Sequence, residues 1–199
     1  KLVAACQKFL GNSLLTKSDF KSEVANILRH SDLKRIQQIE EKGDFKEAAQ
    51  AYVEYTKAYG IQDEALFEKA LYNASVNYYK AGAVLPALET QEHFLRQFTN
   101  SSLRENMLLQ VAKTYESLAN FEKAATYFEQ FSTQFPNNKQ ASTALRLSGL
   151  YYWGAKNEAK AESVMKAFIS KYPKEASVGA GDLLELYETQ GADAKLVKY

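Results

Sequence analysis

The chain has 199 residues, with 25 Lys+Arg against 24 Asp+Glu and a formal charge of +1, so no global field draws it to nucleic acid or anionic lipid. Nine Gly and three Pro are too few for a disordered or all-β chain and suit long helices joined by short turns. Cys6 is the only cysteine, which excludes an internal disulfide and a Cys-rich metal site, and no apolar run reaches the roughly 18 residues that cross a bilayer.

The opening KLVAACQKFLGNS is too short and interrupted for a signal peptide. Its immediate helical pattern is expected of a segment whose targeting signal has been removed. Residues 1–30 show helical spacing twice, in Leu2, Cys6, Phe9 and Leu10 and in Phe20, Val24, Ile27 and Leu28. Two short capping helices, or the remains of an eroded repeat, are expected here.

From Ser31 onward a pattern recurs. Small residues Ala48, Ala87, Ala124 and Ala161 are spaced by 39, 37 and 37 residues. Four residues after each come Tyr52, Gln91, Phe128 and Met165; seven after come Tyr55, Phe94, Phe131 and Phe168; eleven after come Tyr59, Phe98, Phe135 and Tyr172. Offsets of four, seven and eleven lie on one stripe of a helix. At the twelfth offset stand Gly60, Thr99, Pro136 and Pro173. Proline forces its predecessor out of the helical region, and Gly60 is expected to form a left-handed cap. Twelve before the anchors sit Ile36, Ser75, Ala112 and Gly149, and nine before them Ile39, Tyr78, Tyr115 and Tyr152, the matching stripe of a preceding helix. Turns at Glu41–Asp44, Ala81–Ala83, Ala119–Asn120 and Ala155–Lys156 are short, so paired helices run antiparallel. Asp63 is the expected N-cap of the second unit's first helix, and Ser102 with Glu105 the expected capping box of the third. Near Ser177 a partial fifth unit begins, with Leu183, Leu186 and Tyr187 on its stripe and Gly191 at its end. Gly179 and Gly181 are expected to loosen its start.

Small residue, aromatic three later, short turn, Ala, aromatic four later, apolar seven later, Pro twelve later: this pattern resembles the tetratricopeptide repeat, whose period is about 34 residues. The resemblance covers Ser31 to Pro173. It implies an all-α fold, a right-handed α-solenoid of antiparallel hairpins, with residues 1–30 as N-terminal cap, 31–173 as four repeats and 174–199 as a C-terminal cap or partial fifth repeat. The stretch FPNNKQASTAL is similar to repeats of bacterial envelope proteins, such as the outer-membrane-assembly lipoproteins and the Tol-associated periplasmic coordinator.

Chemistry is sparse. His30 and His93 fall on different repeats with no converging partner, and no HExxH motif or Gly-rich phosphate loop occurs. The reading is therefore no enzyme, no cofactor and no metal. Most of the 13 Tyr and 11 Phe belong to the core stripes.

In the resembled family the first helices line a concave face, and its register nominates Lys69, Tyr72, Val76 and Tyr79 in the second unit. It nominates Asn106, Leu109, Lys113 and Glu116 in the third, and Thr143, Arg146, Leu150 and Trp153 in the fourth. Aromatic and Arg side chains are the usual interface anchors. The competing reading is a face merely solvated, or covered by the chain's own termini. The family's dicarboxylate clamp would need Lys and Asn on the first unit, where this chain has Leu33 and Gln37, Asn on the second, where it has Asn73, and Lys and Arg on the third, where it has Asn106 and Gln110; only Asn73 agrees, so that subtype is not expected.

The expected function is thus a non-enzymatic scaffold binding a peptide or protein, in a periplasmic or outer-membrane-associated complex. Alternatives are a helical accessory domain of a larger cell-wall enzyme and a cytoplasmic adaptor. Leu183, Leu186 and Leu196 could also pair with a second copy through the C-terminal helix.

Overall fold

The structure, a computed structural model, describes residues 2–12, 18–60 and 63–191. Every long element among them is an α-helix. They are α1 Leu2–Leu10, α2 Ser18–Glu41, α3 Phe45–Tyr59, α4 Glu64–Lys80, α5 Val84–Gln97, α6 Arg104–Ser117, α7 Phe121–Gln134, α8 Ala141–Gly154, α9 Glu158–Lys171 and α10 Ala176–Thr189, with a 3-10 turn at Pro173–Glu175. Contacts group them into two compact units, residues 1–94 and 95–199, divided inside α5.

In the first unit α1 packs on α2, α2 on α3 and α3 on α4. Ile36, Tyr52, Tyr55, Ala70 and Ala74 form its buried centre, with Leu33, Tyr59 and Leu66 at the margin. Tyr52 donates to Glu40 at 3.0 Å and Tyr59 to Asp32 at 2.7 Å, so the hydroxyls of one core ring and one marginal ring find acceptors on α2. The two short N-terminal helices expected from the sequence need correcting. The second is the front half of the 24-residue α2, which runs unbroken past Ser31 into the first hairpin. Nothing in Ser18–Glu41 is Gly or Pro, so no residue stops the helix at the repeat boundary.

In the second unit α7 packs on α6 and α8, and α9 on α8 and α10. Leu145, Tyr152, Val164, Met165, Phe168, Leu183, Leu186 and Tyr187 are buried together. The small-residue slots do what close helix approach requires. A Cβ added to Gly149 would stand 3.0 Å from Met165 Cγ and 3.7 Å from Val164 Cγ1. Polar contacts add register: Glu129 of α7 accepts from Tyr152 at 3.0 Å and from Lys160 at 2.9 Å. The two second-unit hairpins also repeat a cation–π pair, with Lys123 Nζ 4.9 Å from the centre of the Tyr115 ring and Lys160 Nζ 5.6 Å from that of Tyr152.

All four hairpin turns share one geometry. Gly43, Gly82, Ala119 and Lys156 have φ of 87°, 69°, 54° and 64°, and each lies five residues before an anchor alanine. The amide of each left-handed residue donates to the carbonyl three before it, and the next amide donates to the carbonyl five before that amide. At Ala119 these bonds are 2.9 Å to Glu116 and 3.0 Å to Tyr115, and at Lys156 they are 2.8 Å to Trp153 and 2.9 Å to Tyr152. This is a Schellman end, and it satisfies the last carbonyls of each first helix. Asn120 and Asn157 then cap the second helices by accepting from Lys123 N and Lys160 N.

Several local expectations meet the structure differently. Asp63 caps α4 as expected, accepting from Leu66 N at 3.1 Å. Gly60 is not left-handed: its φ of −59° is right-handed, and glycine is needed there because a Cβ would lie 3.1 Å from the Phe67 ring and 2.5 Å from the Thr56 carbonyl. The Ser102–Glu105 capping box does not form. Helix α6 starts after Leu103, whose amide donates to Ser101 Oγ at 2.9 Å, while Glu105 accepts from the Asn138 side chain instead. Gly179 and Gly181 do not loosen the last helix but sit within α10. Gly179 is where α10 closes on α9, for a Cβ there would lie 2.5 Å from the Phe168 ring.

Gln91, in a slot where other repeats carry an aromatic or Met, is fully buried, and neither its Nε2 nor its Oε1 has a hydrogen-bond partner. Desolvating an unsatisfied amide costs about 1–3 kcal/mol, and an apolar side chain of similar size carries no such penalty. Gln91→Leu is therefore expected to raise the unfolding free energy by about 1–3 kcal/mol, read from urea midpoints at unchanged slope. A lower midpoint would show that the amide is satisfied.

Candidate partner-binding face

The nominated residues of the first unit lie on α4 at spacings of three, four and three, which keeps them on one stripe. Tyr72 and Val76 are half-buried, Lys69 is exposed and Tyr79 is 48% exposed. The Tyr72 ring meets Phe94 edge-on at 6.0 Å, so α5 holds it in place. Tyr79 projects one turn further on, an apolar ring left largely in water.

In the second unit Asn106, Leu109, Lys113 and Glu116 follow the same stripe on α6, and Thr143, Arg146, Leu150 and Trp153 follow it on α8. Leu109, Leu150 and Trp153 are half-buried; Asn106, Lys113, Glu116 and Thr143 are exposed. The structure brings the two stripes together through Tyr151, whose hydroxyl donates to Glu116 and whose ring stacks on Phe121 and Phe128 at 5.7 and 5.8 Å. Burial and that carboxylate push the Tyr151 phenol up to about 12, so it stays a donor at any physiological pH.

Arg146 differs from expectation. Its guanidinium forks onto Asp182 of α10, Nε to Oδ2 at 2.6 Å and Nη2 to Oδ1 at 3.0 Å, and this bond raises its pKa. It is thus first a clamp between α8 and α10, and its side chain stays 40% exposed. Asp182 was not nominated, since nothing in one sequence says that α10 supplies the counter-charge.

Sequence reasoning also missed Val178 of α10, which is 47% exposed. It sits thirteen residues before the left-handed Gly191, as Asn106 sits before Ala119 and Thr143 before Lys156. That turn glycine was the signal that could have extended the face to α10. His30 donates from Nδ1 to the Asn26 carbonyl at 2.8 Å, and His93 meets Phe67 edge-on at 6.2 Å, so each has a local role. Among the described residues no three His, Cys, Asp or Glu side chains converge as metal ligands would, and no helix is long and apolar enough to cross a membrane.

A tetratricopeptide-repeat family model matches residues 107–138 and 143–175, the hairpins α6–α7 and α8–α9. No curated protein sequence matches the chain. Among solved structures it is similar to MamA from Desulfovibrio magneticus RS-1, with TM-score 0.54 and 15% identity over 85% of this chain and 89% of that one. A Podosopora anserina chain of kinesin-light-chain type, described by its nearly identical TPR-like repeats, gives 0.54 and 12% over 85% and 90%. BtubC from P. vanneervenii gives 0.51 and 16% over 99% and 86%. At such identities the likeness carries the fold alone: all-α, built of antiparallel tetratricopeptide-type hairpins.

Proposed function

We propose that the chain is a non-enzymatic scaffold that binds a peptide or protein partner on the first-helix faces of its repeats, within a multi-protein complex of a bacterial envelope. The observation that carries this reading is the composition of those faces. In each unit half-buried apolar side chains (Tyr72 and Val76; Leu109, Leu150 and Trp153) stand in place among exposed Lys69, Tyr79 and Lys113. Side chains already packed on one side lose little entropy on binding, and the polar rim gives orientation. The envelope setting is supported by the likeness of FPNNKQASTAL to envelope repeats.

A Tyr79→Ala, Lys113→Ala, Trp153→Ala triple variant tests it. Tyr79 and Lys113 are exposed, so their truncation leaves the melting temperature close to that of the parent, whereas Trp153 packs half-buried against the core and its truncation lowers that temperature while leaving the chain folded. Two aromatic anchors at about 2 kcal/mol each would lower affinity on the order of 10²–10³-fold. The measurement is quantitative capture, by parent and variant side by side, of partners cross-linked to the parent. A folded variant that keeps every partner would end the first-helix reading.

A further inference from the structure

The first hairpin carries an acid and an aromatic ring that hold a lysine, and the third hairpin carries the same acid and ring without one. Glu40 stands three residues before the left-handed Gly43 and Phe45 two after it; Glu116 stands three before Ala119 and Phe121 two after it. Two residues before the left-handed turn of the following hairpin lies Lys80, the last residue of α4, and Gly154, the last residue of α8. At the places of the acid and the ring the second and fourth hairpins have Tyr79 with Val84 and Trp153 with Glu158, so neither repeats the pair.

The first unit shows what the pair holds. Lys80 Nζ lies 3.6 Å from Glu40 Oε1 and 5.1 Å from the centre of the Phe45 ring, while Tyr52 donates to Glu40 Oε2 at 3.0 Å. Carboxylate and ring face both attract an ammonium group, one by its charge and one by its quadrupole. In the second unit Glu116 also accepts a tyrosine hydroxyl, from Tyr151 through Oε1, and is exposed. Phe121 stacks on Tyr151 at 5.7 Å yet stays 37% exposed. Gly154 has no side chain to send across the ring, and a Cβ there would stand 3.9 Å from Phe121 Cδ2, an ordinary contact. Beside the ring runs a groove lined by Leu118, Phe121, Glu122, Gly154, Ala155 and Lys156. With Glu116 at its edge, two carboxylates face the single ammonium of Lys156, so the groove favours a further cation. Leu118, 40% exposed, offers apolar surface for the stem of a long basic side chain.

We propose that the Glu116–Phe121 groove binds a lysine side chain of the protein partner, with its ammonium in the place that Lys80 fills in the first unit. Lys80 supplies the chemistry of the occupant from within the chain, and Gly154 is what makes the second copy of the site take that group from outside. The source of the lysine rests on the partner-binding reading; the site rests on the repeat register. It is built wholly of described residues, and 192–199, with Leu196, lie outside them.

The tripeptide amide acetyl-Ala-Lys-Ala, titrated into the full chain and followed by backbone and ring resonances, tests the site. Saturable shifts are expected at Glu116, Phe121 and Gly154, about five- to tenfold weaker in apparent affinity when norleucine replaces the lysine, and weakened by salt. Glu116→Gln keeps an acceptor for Tyr151 and should weaken binding about fivefold, as should Phe121→Leu. Gly154→Lys should weaken it as strongly, because the new ammonium fills the site from within, whereas Gly154→Ala should leave it unchanged. Equal binding of the norleucine peptide, parent-like binding by Glu116→Gln, or no shift at these residues up to about 0.1 M peptide would overturn the proposal. A failed titration beside a Tyr79/Lys113/Trp153 variant that still loses its partners removes this site and leaves the partner-binding reading standing. Binding of the lysine peptide with every partner kept by that variant upholds the site and removes that reading.

Discussion

Phe131→Ala is expected to lower the unfolding free energy by about 3–5 kcal/mol, whereas Lys113→Ala leaves it within about 0.5 kcal/mol. Phe131 is fully buried in α7, its ring 5.9 Å from that of Phe135. Truncation removes the transfer free energy of the ring and leaves a cavity that the flanking helices cannot collapse around without shifting their own contacts. Lys113 sits on the exposed face of α6, and Ala is at least as good a helix former. Stacked hairpins carry most contacts between neighbours, so the loss should also lower the cooperativity of the second unit's unfolding. Urea unfolding of the three proteins measures both effects. Equal shifts in the two variants would mean that the stripe at four, seven and eleven residues does not face the core.

That stripe was the most legible feature of the sequence, because one physical rule generates it: a two-helix unit cannot bury its own apolar side, so each copy must present the same offsets to the next. At offsets four and seven Tyr52, Tyr55, Phe94, Phe128, Phe131, Met165 and Phe168 are buried, and at eleven Phe98 is buried while Tyr59, Phe135 and Tyr172 are half-buried. Turn geometry was half-legible. The left-handed turn residue is glycine in the first two hairpins, which invites the reading, but Ala119 and Lys156 in the next two, which hides it. Gly60 misled for the converse reason, since a glycine demanded by the nearby Phe67 ring looks the same in sequence as one demanded by φ.

The candidate face was legible as positions and not as contacts. Spacing alone put Leu109, Leu150 and Trp153 on the first helices, where they are half-buried. It could not reveal that Arg146 meets Asp182 across 36 residues of sequence, or that Glu116 accepts from Tyr151. Such pairs depend on the axial offset between helices of successive repeats, which linker lengths set and local propensity does not. The capping box failed at Ser102 for a related reason: Glu105 takes a partner from the next linker, a contact invisible to a rule confined to one helix end.

Stability is expected to hold steady toward pH ~10 and then fall steeply, because the core is built on tyrosine. Burial raises the phenol pKa at Tyr52, Tyr55, Tyr78, Tyr152, Tyr172 and Tyr187, and pushes those of Tyr59 and Tyr151 up to about 12, with Asp32 and Glu116 adding to the last two. Unfolded tyrosines lose their protons near pH ~10. Above that pH the folded chain holds more protons than the unfolded one, so the unfolding free energy declines as pH rises toward the folded values. Lys160 and Lys166 act in the same direction. Glu129 and Glu162 raise their pKa values, and the pairing is lost as the ammonium groups deprotonate. Each unit of pKa shift corresponds to about 1.4 kcal/mol, reduced for half-exposed rings by solvent screening, and the rings act in one direction. Melting curves from neutral to strongly alkaline pH, with tyrosinate absorbance followed in parallel, make the measurement. The part of the absorbance that belongs to the buried rings should rise in one steep step coincident with loss of helix. Tyr52→Phe should blunt that alkaline fall, since it removes the phenol that donates to Glu40 and would have to ionise in the core. Gradual titration near the unfolded value, with helix content intact, would mean that these rings stand in water and that the hairpins do not close as described.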